Sequence, residues 1–248
     1  MKPNFKTALI LGAGSDMAKA FAHHLAKQNI NLILAGRQLK ELQSDASDIK
    51  IRYSVNVDCV SLDVCSAKSR QSLFQGLTDN VTFIASFVGF LGNQTEAEQS
   101  DEKATQILDA NFTGVALTLE RAAQYLEGQS GHRVIVGISS VAGDRGRKSN
   151  YLYGSAKAGF TAYLSGLRNR LYSQGIHVLT VKPGFVRTSM TAGMPLPKPI
   201  TASPEKTAVD IYKAVLKKKN TIYTLWIWRY IMCIIRSIPE FLFKRLSL

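Results

Sequence analysis

Cysteine is scarce in this chain: Cys59, Cys65 and Cys233 are its three thiols, and they form neither a CxxC pair nor a Cys/His spacing. A disulfide framework and a zinc site are therefore not expected, no metal is assigned, and a reducing cytoplasm fits best. Acidic residues are also in deficit, 18 against 31 lysines and arginines, for a formal charge of +13. So basic a balance is either a solvated surface or the footprint of an anionic partner: nucleic acid, an anionic cofactor or an anionic membrane. Internal repeats and low-complexity tracts are absent, and nothing in the composition suggests disorder. Residues 1–6 lead straight into a short apolar run and glycines, without the hydrophobic region or cleavage pattern of an export signal, so no export is expected.

What is present is a regular alternation. Hydrophobic residues fill 46% of 248 positions, enough for one large core and hence one domain. Strand-length apolar runs at 7–11, 31–35, 58–62, 81–86, 134–138, 177–181 and, more weakly, 221–224 alternate with helix-like stretches at 16–28, 67–77, 103–127 and 153–173. Several of the runs are apolar throughout, as strands covered on both faces require. The expectation is an α/β, doubly wound Rossmann-type parallel sheet of about seven strands with helices on both faces, over residues 1–224. A Pro/Gly-rich stretch at 188–204 follows a strand end and is read either as a mobile lid over a ligand or as an irregular surface connection.

The first strand runs through Gly12, Ala13, Gly14, Ser15, Asp16 and Met17 into a helix, where backbone amides and the positive helix end can meet a pyrophosphate. A plain tight turn would use the same glycines, and the third glycine of GxGxxG falls at Met17. At the end of the second strand stands Arg37, where an acidic residue would favour NAD. An arginine there suits a 2′-phosphate, so NADP is favoured; a merely solvated Arg37 leaves NAD open. Asp63, past the third strand, serves either the adenine amino group or the cap of the helix starting near Ser66.

Tyr153 and Lys157 lie four apart at a helix start, on one face. An ammonium there favours the phenolate and would lower a phenol pKa from its usual value of roughly 10. Tyr151 lacks such a partner, because Ser155 occupies its i+4 position. Ser140, at the end of a predicted strand, precedes Tyr153 by 13 residues. With this strand, loop and helix arrangement, the chain resembles the short-chain dehydrogenase/reductase family over about residues 6–224.

The resemblance implies an NAD(P)-dependent oxidoreductase interconverting a carbonyl and an alcohol. Ser140 would polarise the carbonyl, Tyr153 would act as general acid/base, and Lys157 would hold the nicotinamide ribose. Asn111 matches the family's helix asparagine that supports a water path to the lysine. Pro183, Gly184, Val186 and Thr188 match the segment closing over the nicotinamide, and Val64 and Gly89 complete the expected cofactor contacts. Two departures stand out. The family's TGxxxGxG has Leu11, Asp16 and Ala18 in place of its threonine and its later glycines, and NNAG is replaced by Ser86, Phe87, Val88 and Gly89.

Residues 225–248 form an aromatic and basic tail. Arg229 and Arg236 share a helical face opposite a broad apolar one, and Pro239 should end or kink the helix. Two arginines and a proline interrupt the run of about 20 apolar residues that a clean membrane span needs. The tail is read as a peripheral anchor at the inner face of an anionic membrane, the alternative being contact with a sister subunit in a homo-oligomer. With this tail the chain is similar, more loosely, to the subgroup that includes decaprenylphosphoryl 2-keto-pentose reductase. That implies a keto substrate on a lipid carrier and no nucleic-acid partner. A soluble carbonyl or 3-oxoacyl reductase and a non-catalytic dinucleotide-binding regulator are the competing readings.

Overall fold

The structure, a computed structural model, describes residues 5–77 and 80–246. Residues 1–4, part of the segment read for an export signal, lie outside them. In chain order the elements begin β1 (Thr7–Leu11), α1 (Asp16–Ala26), β2 (Asn31–Gly36), α2 (Leu39–Tyr53), β3 (Val57–Ser61), α3 (Ala67–Gln75) and β4 (Val81–Ser86). There follow α4 (Gln94–Ala97), α5 (Asp101–Leu108), α6 (Gly114–Glu127), β5 (Arg133–Ile138), α7 (Tyr151–Leu171) and β6 (Ile176–Pro183). The chain continues with β7 (Phe185–Val186), β8 (Thr201–Ala202), α8 (Pro204–Leu216), β9 (Thr221–Thr224), α9 (Ile227–Ser237) and α10 (Glu240–Phe243).

Seven strands form one parallel sheet in the order β3-β2-β1-β4-β5-β6-β9, and β7 pairs with β8 in a separate two-stranded ribbon. All five residues of β1 are buried. Ala8 and Ile10 enter the core on one face with Phe21, Leu34 and Phe83, while Leu9 and Leu11 enter the other with Val115, Leu119 and Phe160. Alternate side chains of one strand thus feed two helix layers, which is why the strand is apolar at every position. The expected fold class is what the structure has.

The differences are local. The single helix expected over 103–127 is instead α5 and α6 joined by a widened π turn, Asp109–Thr113. Inside it, Asn111 Nδ2 donates to the Ile107 carbonyl at 2.8 Å. That oxygen, four residues back, is the one an α-helix reserves for the Asn111 main-chain amide, so the side chain competes with the ladder. Three helices, α2, α4 and α8, lie outside the expected helical stretches: α4 is a single turn, α2 shows the core only Leu42, Ala46 and Ile49, and α8 buries Thr207, Ala208, Ile211, Ala214 and Val215. The 188–204 stretch is partly structured. It holds two 3-10 turns and β8, and it is fastened at one end by Asp16 and at the other by Trp228.

Candidate active site

Strand order reverses between β1 and β4, and parallel sheets collect ligands in the crevice outside the strand ends at such a point. A cleft of about 580 Å³ opens there. Its lining includes Gly12, Gly14, Ser15, Arg37, Asp63, Val64 and Gly89, so seven of the expected cofactor contacts converge on one cavity. Gly12 has φ +72°, and a Cβ there would come within 2.8 Å of the Val88 amide nitrogen; this turn can only be glycine. Ser15 caps α1, its Oγ accepting from the Ala18 amide at 3.3 Å.

Asp16 resolves the first departure from the family pattern. Its Oδ2 accepts from the Ser189 amide at 2.6 Å, so its carboxylate is committed to the loop after β7. Met17 packs against the core. Asp63 bends the chain after β3, its Oδ1 accepting from Cys65 N at 2.9 Å, while Ser66 and not Asp63 caps α3. Arg37 is exposed at the mouth of the cleft.

The Ser-Ser pair after β5 divides its labour. Ser139 is buried and holds α7 in place, bonding the Lys157 carbonyl at 2.9 Å and Thr161 Oγ1 at 2.7 Å. Ser140 lies close enough to the Tyr153 hydroxyl to favour its ionised form, and its Oγ accepts from Ala142 N at 3.1 Å. Burial pushes the Tyr153 phenol up to about 12, against the lowering effects of Ser140 and the Arg147 charge. Tyr151, one half-turn away, is 41% exposed and lies by Glu98 and Gln94.

Lys157 is buried, its Nζ donating to Ile138 O at 3.2 Å and Val88 O at 3.4 Å, 5.7 Å from the Tyr153 ring centre. Burial lowers its own pKa to about 7. The Arg147 charge thus acts on the Tyr153 phenol as well as the expected Lys157, whose desolvated ammonium, held by carbonyls, is itself close to losing its proton. Asn111, fully buried, exchanges two bonds with the Phe90 main chain: Nδ2 to O at 2.6 Å and N to Oδ1 at 3.1 Å. The loop that replaces NNAG is therefore tied to the site by Asn111. A Cβ on Gly89 would lie 3.4 Å from Asn111 Oδ1 and 3.6 Å from Lys157 Nζ, so these three residues meet.

Gly184 is roofed by the tail. A Cβ there would lie 1.9 Å from the Trp228 ring, whose Nε1 donates to Ile200 O at 3.0 Å. Trp228 and Met232, buried on the inner face of α9, form a small core with Val141, Phe185, Ile200 and Tyr223. Pro183 is buried at the end of β6, Val186 is buried in β7, and Thr188 opens the 3-10 turn that follows. Asp144 joins this side together, accepting from Lys182 Nζ and, at 2.7 Å, from the Tyr223 hydroxyl. The sequence reading passed over Asp144, Arg145 and Arg147, since polar and basic residues in a loop look merely solvated; it set Trp228 with Trp226 and Tyr230 in a lipid headgroup region, and the structure corrects this for Trp228, which is buried against Gly184 because the inner face of α9 folds back on the domain.

A doubly wound sheet with a glycine-turn cleft at its switch point and a neighbouring Ser/Tyr pair beside a buried lysine defines a dinucleotide-dependent oxidoreductase. The family model described as short chain dehydrogenase matches residues 6–197, and the chain belongs to that family. An uncharacterized oxidoreductase of Mycobacterium tuberculosis is 30% identical over 241 residues, 96% of each chain. A short-chain dehydrogenase from Sphingobium yanoikuyae in complex with NADPH superposes with a TM-score of 0.81 at 19% identity, covering 95% of this chain and 97% of that one. L-Sorbose reductase from Gluconobacter frateurii, complexed with NADPH and L-sorbose, gives 0.79 at 20% identity over 90% and 95%.

Proposed function

We propose that this chain is an NADP(H)-dependent carbonyl reductase whose substrate is a lipophilic or lipid-linked ketone met at a membrane surface. The observation that carries the reductase reading is the neighbouring Ser140 and Tyr153 with Lys157, which meets the Gly89 wall of a cleft whose mouth holds Arg37. The residues fit the cofactor: the glycine turn and the α1 terminus suit a pyrophosphate, and the Arg37 guanidinium suits a 2′-phosphate. Both solved structures named above hold NADPH. When bound, the reduced nicotinamide supplies a hydride to the carbonyl carbon.

The chain supplies position and a proton. Ser140 Oγ holds the carbonyl oxygen, and the Tyr153 hydroxyl, protonated at neutral pH, donates to it as the alcohol forms. Lys157 binds the ribose hydroxyls and, with its pKa near 7, returns a proton towards Tyr153. Asn111 keeps the 89–92 loop against Lys157.

The membrane reading draws on the outer face of the tail. Trp226, Tyr230 and Ile234 are 73, 61 and 68% exposed at successive turns, with Phe241 and Leu242 exposed beyond them. Exposed Arg229, Arg236, Lys244 and Arg245 flank this apolar face, the composition of an interfacial helix on anionic lipid. Among the described residues no helix is long and apolar enough to cross a membrane. The test is NADPH consumption with ketones of graded chain length, with and without phosphatidylglycerol vesicles. The wild type should sediment with vesicles and favour the long-chain ketones, and W226S/Y230S/I234S should lose both properties. A wild type that ignores vesicles, with a concentration-dependent dimer abolished in the triple variant, would move the face to an oligomer contact.

A further inference from the structure

Arg145 and Arg147 stand two residues apart in the loop between the Ser140 turn and α7, and their surroundings are opposite. Arg145 is fully engaged. Its Nη1 donates to Ile235 O, Arg236 O and Ile238 O at 2.9, 3.1 and 2.6 Å, closing the C-terminus of α9. Its Nη2 meets Glu240 at 2.8 Å, and its guanidinium lies 3.8 Å from the Phe243 ring centre.

The Arg147 side chain has no hydrogen-bond or ion-pair partner among the described residues, and its Nε is buried with none. The acidic groups of this region are occupied: Asp144 by Lys182 and Tyr223, Glu240 by Arg145. Arg147 is partly buried, and its carbonyl accepts from Asn150 N at 3.1 Å in the turn that opens α7, the helix whose first turn carries Tyr153; its charge also acts on that phenol. Asn150, at the N-terminus of α7, also leaves Oδ1 buried without a partner. A half-desolvated guanidinium with no counter-charge is costly, and a bound oxyanion is what would offset that cost.

We infer that Arg147 is a specificity residue: it binds an oxyanion, a phosphate ester or a carboxylate, carried by the substrate close to its carbonyl. This deepens the reading of the Ser140–Tyr153 site as a ketone reductase and rests on it. It narrows the substrate class to anionic ketones, with the planar fork of arginine suited to two oxygens of one group. The loop also joins the tail to the helix of Tyr153, since Arg145 grips α9 while Arg147 stands in the turn that opens α7.

The test uses the whole protein, with and without saturating NADPH, titrated with inorganic phosphate or with acetate at constant ionic strength while the melting temperature is followed. Arg147→Leu and Arg147→Gln are compared with the wild type after circular dichroism has shown that each is folded. The wild type should bind one of the two anions about tenfold to a hundredfold more tightly than either variant, the worth of one or two charge-assisted hydrogen bonds. A larger response to phosphate names a phosphate ester, and a larger response to acetate a carboxylate. Superimposable titrations, or no response to either anion, would overturn the assignment. So would a variant whose ultraviolet phenol titration moves while its anion titrations do not, since Arg147 would then only tune Tyr153. The NADPH arm reads the cofactor site separately: loss of NADPH binding in all three proteins would count against the reductase reading without altering the anion comparison.

Discussion

The two sides of the crevice are built from different materials. Beside β1, β2 and β3 the walls are main chain and small side chains, with Arg37 and Asp63 at the mouth. Beside β5, β6 and β9 they are large apolar groups, and several arrive from the far end of the chain: Trp228 lies on Gly184 and Phe185, and Met232 joins Val141. The first side offers amides and a helix end to any dinucleotide, so its design is common to many proteins of this fold. The second is shaped by contacts between residues nearly a hundred positions apart, such as Arg145 with Glu240.

Breaking the chemistry without touching either wall should give the largest effect. Tyr153→Phe removes the hydroxyl beside Ser140 and should lower ketone turnover by about a thousandfold, read as NADPH consumption, with NADPH affinity retained. Next, Trp228→Ala strips the roof from Gly184. It should cost about 3–5 kcal/mol in urea unfolding, the range for truncating a buried aromatic, while leaving the adenine side able to bind nucleotide. If NADPH affinity fell in step with stability, the two sides would not be separable.

A smaller effect concerns pH. The native Lys157 pKa of about 7 lies below its ordinary 10.5, so between these values the unfolded chain holds the extra proton. Stability contributed by this group therefore rises with pH across that window and is absent below it. Tyr153, raised to about 12, works in the opposite sense, but only above pH 10. Urea midpoints of the wild type relative to Lys157→Met should climb from pH 7 to pH 9.5; a flat difference would mean that the ammonium is stably charged in the fold. The smallest effect is expected at Tyr151→Phe, whose side chain stands 41% exposed outside the site: turnover should be unchanged.

This contrast also explains what could be read before the fold was known. The apolar runs of β1, β4 and β5 announce buried parallel strands, because a strand covered on both faces has no polar position to spare. Gly12, Ser140, Tyr153 and Lys157 were legible because their partners are close in sequence or repeat a known spacing. Asn111 was placed in a helix, but the π turn it creates depends on a competition between side chain and main chain that no period reveals. The tail was legible as amphipathic. What escaped was that its inner face folds back on Gly184 and Ile200, since helical spacing records that a face is apolar and not what it meets.

The account turns on the cofactor cleft and the reaction it serves, and the most direct test is a fluorescence titration of the purified protein with NADPH and NADH, in the wild type and in Arg37→Asp. The prediction is tighter binding of NADPH than NADH by the wild type, with the preference reversed by the substitution because a carboxylate repels the 2′-phosphate and accepts the ribose hydroxyls. Failure of the wild type to bind either nucleotide would contradict the account.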